Sequence, residues 1–251
     1  MQYALVNNER HLPQPQLRGL CPACGRECLA KCGSKIAWHW AHHGKLHCDP
    51  WWENETDWHR NWKSLFPEKL REIVHFDSST GEKHVADIKT ERGLVIELQH
   101  STMPLEELQS RERFYGRMIW IVDAKGFAAN FEIQKAPLPH PQADLLKDVV
   151  FFPNCASAFW RKSEQMVGSA LAELHESKLI ADQVAENYRG HHFFTWKKSR
   201  SVWFDSTMPV FFDFGDETLL RLCQYGNSGQ WCVQRIGKRA LVVKNGGVYL
   251  S

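Results

Sequence analysis

The sequence predicts an α/β fold. A helix, three short strands, a second helix and a buried strand follow one another between about residues 53 and 124. A metal-binding module precedes them and an α+β extension follows. Three observations carry this. Five of the eight cysteines (Cys21, Cys24, Cys28, Cys32 and Cys48) fall in the first fifth of the chain. Between residues 53 and 124 the apolar pattern changes from helical to strand-like and back. Basic residues outnumber acidic ones 6 to 3 over residues 1–50 and 8 to 4 over 191–251, whereas acids lead 17 to 13 over 51–150.

The 251 residues are 43 % hydrophobic and 24 % charged, which supports a packed core and excludes wholesale disorder. A net charge of +2 excludes a uniformly basic nucleic-acid coat but leaves room for local basic surfaces. The start, MQYALVNNERHLPQPQ, lacks a basic segment followed by an apolar stretch, and no run of about 18 apolar residues occurs, so the expectation is a cytoplasmic protein without a membrane span. In a reducing compartment the cysteines read as thiols or metal ligands. The scattered Cys155, Cys223 and Cys232 read as buried apolar filler.

The organisation expected along the chain is a zinc-binding module over 1–50, a catalytic core over 51–135, a connector and helical segment over 136–190 and a β-rich region over 191–251. In the first segment Cys21-Pro-Ala-Cys24 is followed, after 14 residues, by His39-Trp-Ala-His42. Two thiolates and two imidazoles are a tetrahedral donor set, and structural Zn²⁺ orders a segment poor in core formers. Cys28, Cys32, His43, His47 and Cys48 are also at hand, so the ligand set stays open beyond Cys21, Cys24, His39 and His42. The module is expected to fold independently of the core.

In the core, ENETDWHRNWKSLF reads as a helix. Glu55, His59 and Lys63 recur every four residues as one stripe, beside an apolar arc of Trp58, Trp62 and Leu65. REIVHFD, KHVADIKT and GLVIELQ read as strands, and Glu91-Arg92-Gly93 closes the last two as a hairpin. That loop sets Ile88 opposite Ile96 and Asp87 opposite Glu97. Asp87, Lys89, Val95, Glu97 and Gln99 then share one face, and Ala86, Ile88, Leu94, Ile96 and Leu98 the other. Carboxylates facing each other across a ladder lie about 4.5–5.5 Å apart at Cβ and repel. A hard divalent cation held by both relieves this, and such an ion activates water for attack on phosphorus. HSTMPLEELQSRERFYG follows as a helix with Pro104 near its first turn, and MIWIVDA as a buried strand.

PLPHPQ opens the connector, and residues 157–189 are the longest helix-favouring stretch. FFTW, VWFD, PVFFDF, QWCVQ and ALVV, with turn signals at YGNSG and KNGG, read as β. Lys197-Lys198-Ser199-Arg200 beside Trp196 and Trp203 could grip a nucleic-acid backbone. Surface charge over core tryptophans is the favoured account of that stretch.

HWAH, Glu55-x-x-x-His59-x-x-x-Lys63, HVADI, VIELQHS, Arg111-x-x-x-Tyr115 and WIVD together resemble the CoiA-like competence-protein nuclease family, over roughly residues 20–124, about 40 % of the chain. That family is similar to the PD-(D/E)XK nuclease superfamily, whose core has the αβββαβ order. The resemblance implies an Mg²⁺- or Mn²⁺-dependent deoxyribonuclease, with DNA as substrate and a protein partner in a DNA-processing complex. It implies that Asp87 and Glu97 bind the metal, that Glu55 is the acid carried by the first helix, and that His59, Arg111 and Tyr115 contact phosphate or position the helix. Gln99 stands where the superfamily usually has lysine, which leaves Lys89 and Lys63 as candidates to orient the attacking water. The competing reading is a non-catalytic zinc-containing DNA-binding or DNA-processing adaptor that keeps the nuclease fold. A nuclease directed at RNA is a third.

Overall fold

The computed structural model describes the chain except residues 36, 45–47, 52–54, 153–154, 167–170, 227–228 and 250–251, with backbone alone at 155–156. His47 and the expected first turn of the helix at 53–54 lie outside the described residues, as does the side chain of Cys155. The chain forms two compact units: one of residues 1–120, 206–208 and 242–251, the other of 121–205 and 209–241. Residues 1–50 are therefore not a body apart from the core helix and strands.

In the first unit, the segment expected to be a zinc-binding module forms a five-stranded antiparallel sheet. Its strands are β1 (Ala4–Val6), β2 (Glu9–His11), β3 (Arg18–Leu20), β4 (Glu27–Lys31) and β5 (His39–His42), in the order β2-β1-β3-β4-β5. At three to five residues each, they are too short to show a period. The β1–β2 hairpin turns on Asn7 and Asn8, both at positive φ (53° and 66°), the primed-turn geometry that Asn tolerates. Ala4, Cys21, Ala23, Cys28 and Trp40 are buried together, with Val74 and Val85 packed against them. Those two valines come from the expected core, so the sheet and the core share apolar surface.

The expected helix–strand series follows as α1 (Asp57–Ser64), β6 (Arg71–Phe76), β7 (Lys83–Lys89), β8 (Val95–Gln99), α2 (Leu105–Tyr115) and β9 (Met118–Asp123). β7 pairs with β8 in the register that the three-residue loop dictates: Ile88 faces Ile96, and the Thr90 N–H reaches the Leu94 carbonyl at 2.9 Å. β7 alternates buried and half-buried residues, but β8 is buried on both faces. Pro104 precedes α2, whose last turn ends on Gly116 at φ 65°. Glu112 of α2 is a buried anchor, accepting from Trp120 Nε1 (3.0 Å), Ser206 Oγ (2.5 Å), Thr207 N (3.0 Å) and Thr207 Oγ1 (2.6 Å). Those bonds account for residues 206–208 belonging to this unit.

The second unit departs most from expectation. It holds β10 (Phe131–Ile133), β11 (Leu138–Pro139), β12 (Val149–Phe152), β13 (Cys155–Arg161) and β14 (His175–Glu176). α3 (Ala181–Asn187), β15 (Tyr188–His192), β16 (Phe194–Trp196), β17 (Val210–Asp213), β18 (Thr218–Tyr225) and β19 (Gln230–Gly237) complete it. Among its described residues, the stretch 157–189, read as helical, is α-helical only over α3. Its start is strand because Phe159 and Trp160 sit opposite Phe151 and Val150 of β12, and such cross-strand pairs outweigh helix propensity. VWFD is a 3₁₀ turn, with Trp203 buried, rather than a strand. ALVV is the helix α4 (Lys238–Lys244): the Gly247 and Gly246 N–H groups return to the Val242 and Val243 carbonyls at 3.0 and 3.1 Å, so the glycines read as a turn signal form a Schellman cap. Lys197 and Lys198 are exposed, while Arg200 stacks over Phe127 at 5.2 Å. No described helix is long and apolar enough to cross a membrane.

Candidate functional site

Cys21 and Cys24 sit on a tight turn that Gly25, at φ 71°, closes by returning its N–H to the Cys21 carbonyl at 2.9 Å. Their thiols converge with His42 and Cys48, all four ligand atoms lying within 4.8 Å of one another. The Cys21–Cys48 sulfurs are 3.7 Å apart and Cys24 Sγ is 3.3 Å from His42 Nε2. A tetrahedron with Zn–S bonds of about 2.3 Å has sulfur–sulfur edges of roughly 3.8 Å, so the donor set could hold a structural metal such as zinc. A hydrogen bond from Cys28 and others nearby draw Cys21 down to about 4, while burial and the Cys21 charge push Cys48 up to about 12. Three thiolates together need a cation.

His39, expected as the fourth ligand, is not in this group. His39 and His42 both lie on β5, and residues three apart on a strand point to opposite faces. The His39 ring meets the Ala37 carbonyl instead, at 3.0 Å. Cys28 is buried with its thiol on the Arg26 carbonyl at 3.7 Å.

One wall of this cluster belongs to a cavity of about 280 Å³, lined by His42 and Cys48 and also by Glu55, His59, Lys63, Asp87, Glu97, Arg111 and Tyr115. The expected stripe therefore reaches a common space, although Glu55 precedes the helix, whose cap is Thr56. His59 does the work that Glu or Gln does in a capping box. Its Nδ1 accepts the Thr56 N–H at 3.2 Å, while Nε2 lies 3.1 Å from the Leu98 carbonyl. A backbone N–H only donates and a carbonyl only accepts, which fixes the tautomer with the proton on Nε2. His59 thus pins α1 to β8.

Lys63 is buried with its ammonium among three carboxylates: Glu55 at 2.5 Å, Glu72 at 3.0 Å and Asp87 at 3.5 Å. Burial disfavours its charge, but Glu72, Asp87 and Glu55 more than offset that and hold the lysine above its usual range. Glu72 stands at φ 45°, between the paired Arg71–Ile88 and Ile73–Ala86 of β6 and β7. This left-handed backbone is strained for a side chain of that size. It turns the carboxylate to accept from Gln2 N (2.7 Å) as well as Lys63.

Asp87 and Glu97 meet just beyond the Ile88–Ile96 pair, through side-chain-to-backbone bonds. The Asp87 N–H reaches Glu97 Oε1 at 3.3 Å, and Asp87 Oδ2 accepts from Leu98 N at 3.0 Å. Arg111 of α2 pairs with the buried Glu97 at 3.2 Å, meets Glu107, and donates to the Trp51 carbonyl at 2.9 Å. Burial, then the Asp87 charge, outweigh Arg111 and push the Glu97 carboxyl up to about 8. Burial and the charges of Glu97, Asp49 and Asp87 keep the Tyr115 hydroxyl protonated.

Gln99 and Lys89 are not brought into the cavity. Gln99 is buried and donates to Ser101, and Lys89 Nζ lies 3.2 Å from His75 Nδ1. Sequence reasoning missed Glu72, Asp49, His84 and Trp51, and held Cys48 only as an alternative ligand. Asp49 accepts from His84 Nδ1 (2.8 Å) and Val85 N (2.9 Å), and Trp51 stacks on His84 with ring centroids 3.3 Å apart. Among the described residues, metal-capable groups of three or more are the Cys21 set and Glu164–Glu173–His175; the cavity carboxylates do not form one. No protein-family model, no curated protein and no solved structure matches the chain.

Proposed function

We propose that the chain is a metal-dependent deoxyribonuclease of the CoiA-like, PD-(D/E)XK kind, acting on DNA with Mg²⁺ or Mn²⁺ in a cytoplasmic DNA-processing complex. The observation that carries this reading is the cavity wall where Asp87 and Glu97, on adjacent strands, meet, with the buried ammonium of Lys63 beside Asp87 and Arg111 on Glu97. The helix–strand order around it agrees with the reading. Mg²⁺ is often held by only one or two carboxylates and completed by water and substrate phosphate, and Asp87 and Glu97 are the two that would hold it here. When bound, the dication supplies a Lewis acid and an activated water.

The remaining steps belong to the side chains. Lys63, held by Glu55 and Glu72, takes the part of the superfamily lysine in place of Gln99. Its fixed positive charge beside Asp87 stabilises charge developing on phosphate oxygens. Arg111 orients Glu97, the Tyr115 hydroxyl donates into the cavity, and His59 positions α1. DNA cleavage compared with and without Mg²⁺ or Mn²⁺, wild type beside Asp87→Asn, tests the reading.

One observation favours the adaptor instead. Lys63 and Arg111 already stand beside Asp87 and Glu97, at 3.5 and 3.2 Å, so each acid has a protein cation facing it. An adaptor binds DNA without turnover under every metal condition.

A further inference from the structure

We propose that Cys223 and Cys232 form an oxidation-sensitive dithiol, in which Cys223 attacks a peroxide and Cys232 resolves the product to an intramolecular disulfide. The two residues face each other across the β18–β19 ladder. Cross-strand Cβ atoms lie about 4.5–5.5 Å apart, slightly beyond the ~3.5–4.5 Å of a disulfide, so a small closure joins them. Their environments differ as the two roles require. Cys223 is partly exposed, whereas Cys232 is fully buried in a core that includes Phe193 and Tyr225.

His191 supplies the second observation. It faces Gln234, two residues beyond Cys232 on β19, so its side chain shares the face of both thiols. It is 2 % exposed, and its Nδ1 has no hydrogen-bond partner. A buried imidazole nitrogen left unpaired beside a thiol is a ready acceptor for the thiol proton. The His140 ring stands edge-on to it, with centroids 5.2 Å apart. In its thiol form Cys223 donates to the Arg221 carbonyl at 3.6 Å. The hydrogen bond from Cys232, against the effect of burial, and then His191 and the Arg221 charge draw the Cys223 thiol down to about 5. Cys232 is held well above the usual thiol range by the same contact and by burial. A low, accessible thiol beside a resolving partner is the pattern of redox-responsive cysteines.

The chemistry balances with hydrogen peroxide as oxidant. The Cys223 thiolate takes one peroxide oxygen, the O–O bond breaks, and the departing hydroxide takes up a proton to leave as water. The Cys232 thiol then displaces hydroxide from the sulfenic sulfur, forming the S–S bond and releasing a second water. Two electrons pass from the two thiols to the peroxide. A dithiol reductant restores both thiols by exchange.

The two cysteines fall between Arg221 and Arg235 with no intervening Lys or Arg, so trypsin releases them, and no other cysteine, in the peptide 222–235. The test treats the intact, folded protein with about one equivalent of hydrogen peroxide, alkylates free thiols and weighs this peptide. The expected result is loss of two hydrogens and of both alkylation sites, reversed by dithiothreitol. In Cys232→Ser, a sulfenic-acid trap is expected to label Cys223. A peptide 222–235 that remains fully alkylated after peroxide treatment overturns the proposal. So does a Cys223 left unlabelled in a folded Cys232→Ser variant. The inference does not depend on the nuclease reading.

Discussion

The Asp49 carboxylate accepts the Val85 N–H at 2.9 Å, and Asp49 directly follows Cys48, the fourth member of the Cys21–Cys24–His42–Cys48 cluster. That Cys/His cluster is thereby tied to β7, the strand that carries Asp87 two residues further on. The expected independence of residues 1–50 from the core does not fit this arrangement. One side chain and one strand thus connect the thiols to the carboxylate wall.

Zinc content therefore separates Cys48 from His39. Protein purified without chelator is expected to carry about one zinc per chain. Cys48→Ser lowers that below ~0.2 and shifts the unfolding midpoint of the first unit downward, because structural zinc contributes folding free energy directly. His39→Ala keeps its zinc. Elemental analysis beside urea unfolding checks both, and a zinc-free His39→Ala with a zinc-loaded Cys48→Ser reverses the ligand assignment.

His59 is expected to act through structure. His59→Ala loses the capping partner of Thr56 and the buried bond to the Leu98 carbonyl, at a cost of about 1–3 kcal/mol. His59→Gln restores the capping half and recovers about 1 kcal/mol. Denaturant unfolding of the two variants measures this. Wild-type stability in His59→Ala together with lost cleavage would place His59 in the chemistry instead.

Lys63→Met leaves Glu55, Glu72 and Asp87 facing one another without their shared cation. Removing one member of a buried ion cluster costs about 3–5 kcal/mol. Combining it with Glu72→Gln is expected to recover part of the loss. Urea midpoints of the single and double variants give the coupling, and strict additivity contradicts the shared site.

Glu97 sets a pH dependence of stability. Its folded value of about 8 stands above the ordinary 4.5. The unfolded state therefore releases this proton first, so stability is greatest below about 4.5 and is lost as pH rises toward 8. Glu97→Gln removes the slope. Saturating Mg²⁺ flattens it, since a bound cation favours the carboxylate. Thermal unfolding between about pH 5 and 8.5, with and without Mg²⁺, measures both effects. An identical slope in Glu97→Gln assigns the dependence to another group.

The carboxylate hairpin was legible because a three-residue loop fixes a register, and a register fixes which side chains meet. α2 and β9 were legible through Pro104, Gly116 and an unbroken apolar run. Glu72 was not, since its place depends on a strained backbone that no spacing announces. The His39-x-x-His42 pairing failed because i, i+3 neighbours share a face on a helix and oppose each other on a strand, and a four-residue strand leaves no period to read. Residues 157–189 misled because helix-favouring composition was overridden by the aromatic pairing of β12 and β13. The Asn7-Asn8 pair is itself a turn signal, since Asn tolerates the positive φ both residues adopt.

The central claim is that Asp87 and Glu97 hold a catalytic dication against DNA. Its most direct measurement is cleavage of plasmid and single-stranded DNA with Mg²⁺, Mn²⁺ or EDTA, wild type beside Asp87→Asn, with DNA binding recorded for each. The expected result is metal-dependent cleavage that falls at least ~100-fold in the variant while binding is retained. Intact DNA binding without turnover by either protein under any metal condition, or cleavage that Asp87→Asn leaves unchanged, contradicts the account.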